Sequence, residues 1–308
     1  MHAEIEEPGA RAKIAASLGS LYFIWGSTFL AIRFALEGGF PPFLLAAARF
    51  LLAGVIFYVV LRARGYPRPT LLEWRSGLII GVLLCGANGL VVVAEQSVSS
   101  GLTAVTLAST PLWVALISGC FGRWPSGRDW LGLGVGFAGV ALLQTGAALR
   151  QTPVGAMLLI ASALSWSFGS VLSRRLPIAK GLMASATQMC GGGAVLLIGA
   201  ILRGERPAAM PTAAAWASLL YLIAFGSIVA YSAYNHLLAK ARPAVATSYA
   251  YVNPIVAVGL GALLAGEKFS ANGVIALALI LAGVAVVMTS RLQASDFRLQ
   301  GKAKAEPR

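Results

Sequence analysis

Ser248-Tyr249-Ala250-Tyr251-Val252-Asn253-Pro254 lies within an apolar run from about Pro243 to Leu264, long enough to cross a bilayer. A proline inside a helix removes one backbone hydrogen bond and frees the carbonyl four residues earlier, here that of Ala250. In lipid a bare carbonyl is expensive, so such a break persists where protein or a watery cavity satisfies it. Two tyrosines and an asparagine supply polar groups at that depth. The first half of the chain carries a counterpart, Ala108-Ser109-Thr110-Pro111, in an apolar run of its own. At about 1.5 Å per residue, Pro111 and Pro254 each lie roughly 15 Å from the start of their helices. Both are then near the midplane of a hydrocarbon core about 30 Å thick. Paired breaks in corresponding segments of two halves point to the solute site of a carrier.

Outward from that stretch, the rest of the chain is of the same kind. Of 308 residues 58% are hydrophobic and only 11% charged, with mean hydropathy +0.78, which excludes an ordinary soluble domain. Ten apolar runs cover about 15–36, 43–61, 76–95, 101–121, 130–148, 153–173, 183–202, 214–237, 243–264 and 271–289. Each has roughly the 17–25 residues a spanning helix requires. Their connections are short and rich in Pro, Gly and charge. The expected fold is an all-α membrane protein of ten transmembrane helices. Residues 1–14 form a mixed-charge N-terminal segment. The first apolar run is too long for a signal h-region and stays as the first helix. Residues 290–308 form a basic tail, expected to be mobile at the cytoplasmic surface.

The net charge of +13 is a topology signal. With the N-terminus inside, eighteen of the 24 basic residues fall on the inner side, among them Arg62, Arg64, Arg123, Arg128, Arg174, Arg242 and Arg308. Arg150, Arg203, Arg206 and Lys268 are outside, and Arg33 and Arg49 lie within helices. The positive-inside rule then places both termini in the cytoplasm of a cell with the protein in its inner membrane. Nucleic acid is not a partner implied by this distribution. Cys85, Cys120 and Cys190 all lie in apolar runs, odd in number, which argues against a disulfide framework.

Internal repetition sets the architecture. Trp25-Gly26-Ser27-Thr28 in the first run is echoed by Trp166-Ser167-Phe168-Gly169-Ser170 in the sixth, each followed by an arginine at the same spacing, Arg33 and Arg174. Pro111 answers Pro254, and Gly139-Val140-Ala141-Leu142 answers Gly283-Val284-Ala285-Val286. Five helices per half is odd, so the second half, 153–289, enters the membrane inverted relative to the first, 15–148. The expectation is two inverted five-helix repeats. Trp25-Gly26-Ser27-Thr28, Ile32-Arg33, Pro41-Pro42, Arg49-Phe50, Ala94-Glu95-Gln96, Thr110-Pro111, Ser248 to Pro254 and Gly266-Glu267 together resemble the EamA-type drug/metabolite transporter family. The resemblance covers about residues 15–290. It implies a ten-helix inverted-repeat carrier, often an exporter of amino acids, metabolites or drugs, and leaves the cargo open.

Charge inside the membrane is costly and marks function or structure. Arg33 and Glu95 are expected near the same outer level, with Arg49 a short way below the outer face, its side chain able to snorkel towards Glu95. The alternatives are a structural ion pair or pair of interface anchors, an outer gate whose pairing changes between states, or a carboxylate that titrates during proton coupling. Trp25 and Trp166 fall mid-membrane at matching repeat positions and face the protein interior, as packing or as cavity walls. Asn88, Ser109, Thr110, Tyr231, Tyr249 and Asn253 add amides and hydroxyls without formal charge. Tyr249 and Asn253, four apart, share a helix face. Such a lining suits a small neutral, zwitterionic or amphipathic solute. Glycines 132, 136 and 139 offer a small-residue face, for packing within the chain or for a homodimer seam. No phosphate loop, nucleophile elbow or zinc-ligand spacing is present, so neither enzyme, cofactor nor metal is expected. The expected function is secondary-active export by alternating access. An uncoupled facilitator, or a structural or signalling membrane protein of the same fold, is the alternative.

Overall fold

The structure is a computed structural model whose described residues are 8–122, 124–240 and 248–305. Residues 243–247, expected to open the ninth run, and Arg123, Arg242 and Arg308 of the basic inner set lie outside them. Every element among the described residues is helical. α1 (Pro8–Glu37) and α2 (Pro42–Ala63) each open on a proline, whose fixed φ and missing N–H suit a first helical turn. α3 (Leu71–Ala94) opens on a capping box formed by Thr70 and Glu73. α4 (Ser100–Leu107) and α5 (Thr110–Cys120) are two pieces of one apolar span interrupted at Ala108-Ser109. α6 (Gly127–Gln144), capped by Ser126 and Asp129, and the single turn α7 (Ala147–Arg150) follow.

The second half begins with α8 (Pro153–Leu172) and α9 (Leu182–Leu202). α10 (Ala213–Tyr221), a π-helical stretch Leu222–Val229 and α11 (Ala230–Lys240) then run on without interruption. α12 (Tyr249–Ala265) and α13 (Ala271–Ala305) complete it. Helix α13 continues through the segment expected to be a mobile tail. Residues 290–305 carry no proline and mostly good helix formers, so nothing local stops the helix before Pro307.

Among the described residues, eight spans are long and apolar enough to cross a membrane: α1, α2, α3, α4 with α5, α8, α9, Ala213–Leu237 and the first part of α13. The chain is therefore a multi-pass helical membrane protein. α12 is apolar but has only 17 residues, and α6 spends seven of its 18 on glycines, Arg128 and Asp129. Large apolar side chains such as Phe23, Val59, Ile201 and Leu263 face outward, as a lipid-facing belt requires.

Most packing joins early helices to late ones. α2 lies against α9, α6 against α13, α3 against both α8 and α9, and α1 against both α12 and the span 213–240. α4 meets α12, and α5 meets α8. Small residues permit these approaches. A Cβ at Gly81 would stand 2.1 Å from the Gln188 carbonyl oxygen of α9, and one at Gly26 only 2.7 Å from Val256 of α12. Gly132 and Gly139 face the α13 backbone, while Gly136 faces Leu112. The small-residue face of α6 is thus used inside the chain.

Candidate functional site

α12 starts at Tyr249 and runs unbroken through Pro254, its sixth residue, so the break expected there does not form: the carbonyl the proline deprives, that of Ala250, lies in the helix's own first turn. Asn253, buried just before it, has its amide nitrogen oriented to donate to the carbonyls of Tyr249 at 3.3 Å and Tyr22 at 3.2 Å. The Tyr22 hydroxyl meets that of Ser248 at 2.5 Å. Around this junction rings converge: Trp25 lies 5.0 Å from Tyr249 and 5.4 Å from both Tyr231 and Tyr234. The Tyr234 and Tyr249 rings are 5.7 Å apart, edge to face. The structure thus gathers Trp25, Tyr231, Tyr249 and Asn253 into one cluster and adds Tyr22 and Tyr234.

The first-half candidates behave differently. The Ser109 hydroxyl donates to the Thr106 carbonyl at 2.6 Å, and that of Thr110 to the Leu107 carbonyl at 2.6 Å. Leu107 is the residue whose carbonyl Pro111 deprives of an N–H partner. The break expected to expose a carbonyl is therefore closed by its own neighbour. Ser167 of α8 donates to the Thr110 carbonyl at 3.2 Å, tying the break to the next helix. Asn88 donates to the Leu84 carbonyl at 3.1 Å. Trp166 is half-buried on α8, outside the ring cluster.

The π-helical stretch supplies a second junction. Wide turns leave carbonyls free for outside donors, and such stretches frequently mark functional sites. The Gly226 carbonyl accepts from Trp25 Nε1 at 3.2 Å and from Arg49 Nη2 at 3.3 Å. Arg49 Nε donates to the Ser227 hydroxyl at 3.1 Å.

The expected pairing of Glu95 with Arg33 or Arg49 does not form. Arg33 Nη1 instead meets Glu267 Oε1 at 2.6 Å, and its Nε meets Glu37 at 2.7 Å. Glu95 is buried with both carboxylate oxygens unpartnered. Glu267 carries the better set of donors. Besides Arg33 it accepts from the Ser100 N–H at 2.9 Å, the Ser100 hydroxyl at 2.6 Å and the Gly101 N–H at 2.9 Å. A carboxylate at the first turn of α4 is also favoured by the helix dipole. Burial pushes the Glu267 carboxyl up, but the Ser100 hydroxyl, the backbone N–H groups and Arg33 together hold it below its ordinary value. Gly101 and Gly261 leave room for it: a Cβ would stand 3.1 Å and 2.6 Å from Oε2 respectively. Gly266, at φ +62°, turns the chain so that Glu267 points back. This latch joins the end of α1, the start of α4 and the α12–α13 connection. Arg33 and Glu95 do share a cleft of about 400 Å³, with Leu36, Glu37, Gln96 and Val98.

Sequence reasoning assigned no role to Glu267, Tyr22 or Gly226. A signal existed for the first. Glu73 and Asp129 cap α3 and α6 and five more acids lie near the termini, which leaves Glu37, Glu95, Glu205 and Glu267 as the acids available to Arg33. Glu205 is taken, accepting from the Leu44 N–H near the start of α2.

The sequence profile of the EamA-like transporter family matches residues 14–145 and again residues 153–289. The uncharacterized inner membrane transporter YedA of Escherichia coli (strain K12) is 41% identical over 273 residues, covering 88% of this chain and 89% of its own. A probable terminal-alkyne amino-acid exporter of Streptantibioticus cattleyicolor is 25% identical over 273 residues, 85% of this chain and 89% of its own. A solved crystal structure shares the fold, with TM-score 0.62 and 23% identity over 91% of this chain and 97% of that one.

Proposed function

This chain belongs to the EamA-like transporter family, and from that membership we propose that it is a secondary-active exporter of a small neutral, zwitterionic or amphipathic solute. The observation that carries the reading is the ring-and-amide cluster beside Pro254, a half-buried aromatic enclosure at the first turns of α12. Trp25, Tyr231, Tyr249 and Asn253 enclose the solute, with Asn88, Ser109, Thr110 and Trp166 on the first-half side. Amino acids fall within this solute class, as the name of the Streptantibioticus relative suggests. The YedA likeness supports the inner membrane as its location.

In this reading the chain spans the membrane ten times, as inverted repeats 15–148 and 153–289, with both termini cytoplasmic. The doubled family match supports it. So does the packing, in which the main pairings have the mates that a two-fold relation demands. α1 on α12 answers α8 on α4 and α5; α1 on the span 213–240 answers α8 on α3. The halves rock against each other, giving alternating access. Arg33 with Glu267 is the outer gate, closed here, and Glu95 the proton-coupling carboxylate beside it. Counterflow in proteoliposomes tests the reading, using amino acids, aromatic acids and amines with and without a pH gradient. The expected result is saturable uptake driven by the same solute inside. Folded protein that exchanges none of them overturns it.

A further inference from the structure

Arg49 is a buried cation without a counter-ion. Its side chain is 4% exposed, with the guanidinium carbon 4.8 Å above the Phe50 ring. Nε and Nη2 are occupied by Ser227 and Gly226, while Nη1 is enclosed and has no partner. Among the described residues no carboxylate forms an ion pair with it, and Glu95, equally buried, stays apart. A buried charge left uncompensated is costly, and it is retained where something else completes it. Gly226 connects this cation to the ring cluster, since one carbonyl accepts from both Arg49 and Trp25. A Cβ there would stand 3.0 Å from the Thr28 methyl and 3.3 Å from Arg49 Nη2, so glycine makes the space the guanidinium occupies. An unpartnered guanidinium nitrogen, Nη1, therefore lies beside the carbonyl that also holds Trp25.

The geometry points to a carboxylate-bearing solute, its anionic end on Arg49 Nη1 and its apolar body against Trp25, Tyr231 and Tyr249. This rests on the carrier reading and narrows its substrate class. A guanidinium fork matches a carboxylate in shape and charge. An amine without an acid would be repelled by the same group. One arginine compensates one negative charge, which favours a carboxylate over a phosphate dianion. The enclosure of Nη1 belongs to the closed state, and rocking of the halves opens the approach.

The test is thermal stabilisation of the purified full chain by 3-phenylpropionate, phenylalanine and phenethylamine, which share a ring and differ in headgroup. Both acids are expected to stabilise it and the amine to have no effect. A stronger effect of 3-phenylpropionate marks a plain carboxylate as the better occupant, and a stronger effect of phenylalanine a zwitterion. Arg49→Lys, which keeps the charge and loses the fork, should weaken both acids at least about tenfold. Stabilisation by the amine as strong as by the acids overturns the assignment, as does an equal effect of chloride. So does the absence of any response to the acids at millimolar concentration, or unchanged acid affinity in folded Arg49→Lys. The headgroup comparison on the unaltered protein decides even if the variant does not fold. Counterflow of an amine with no acid response overturns this assignment and leaves the carrier reading standing. No counterflow at all overturns the carrier reading itself.

Discussion

Glu267 is the residue on which the proposed outer gate depends, because one carboxylate holds Arg33 of α1, the start of α4 and its own loop together. Hydrogen bonds to charged groups contribute about 1.5–3 kcal/mol each, whereas an exposed ion pair contributes about 1 kcal/mol or less. Glu267→Gln should therefore open the cleft and Glu37→Gln, at an exposed pair four residues from Arg33, should not. Thiol labelling of Val98→Cys, a buried position in that cleft, reports the difference in intact cells: several-fold faster in the first variant, unchanged in the second. The pH dependence has a definite sign. Glu267 is held below its ordinary 4.5, so the latch is intact above that value and is lost as pH falls through the lowered one. Labelling of Val98→Cys should be flat from about pH 5 to 8 and rise in more acidic buffer. The intramembrane charges could be named from sequence because they are rare there. Their partners could not, because depth along a helix does not say which of four outer acids faces Arg33.

Among the elements, the two proline-bearing spans are alike in sequence and unlike in detail. Thr110 turns its hydroxyl back on Leu107, whereas Asn253 reaches from α12 across to Tyr22 of α1. Pro111→Ala should thus act mainly on local helix stability, and Pro254→Ala on the rate at which α12 and α1 rearrange. In counterflow, turnover should change more than apparent affinity for Pro254→Ala, and both should stay near wild type for a folded Pro111→Ala. Equal effects of the two would contradict this difference. The apolar runs and the break before Pro111 were legible because lipid demands continuous apolar length and prolines are scarce, whereas α12 runs through Pro254 unbroken. The π-helical stretch was not, since Leu222–Val229 reads as an unremarkable apolar helix. Gly226-Ser227, the partners of Arg49 of α2, lie within it. Gly226→Ala should destabilise the protein by about 1–3 kcal/mol through crowding of Thr28 and Arg49, read as a lower melting temperature in detergent.

At the scale of the molecule, the repeat was visible as echoed motifs, and the packing of early helices on late ones gives those echoes a spatial meaning. What escaped the sequence was the length of individual elements, because α6 and α12 trade apolar residues for glycines, caps and polar cluster members. The proposed orientation rests on the basic residues. Tyr66→Cys and Gln300→Cys, in a background without the three native cysteines, should resist an impermeant thiol reagent in intact cells and react after permeabilisation. Alternating access at the Pro254 cluster is tested most directly with Asn253→Cys in the same background, labelled in right-side-out and inside-out vesicles. The prediction is reaction from both faces, with Glu267→Gln raising the outer rate and lowering the inner rate reciprocally. Reaction from one face only, or both rates rising together, would contradict a carrier that opens to one side at a time.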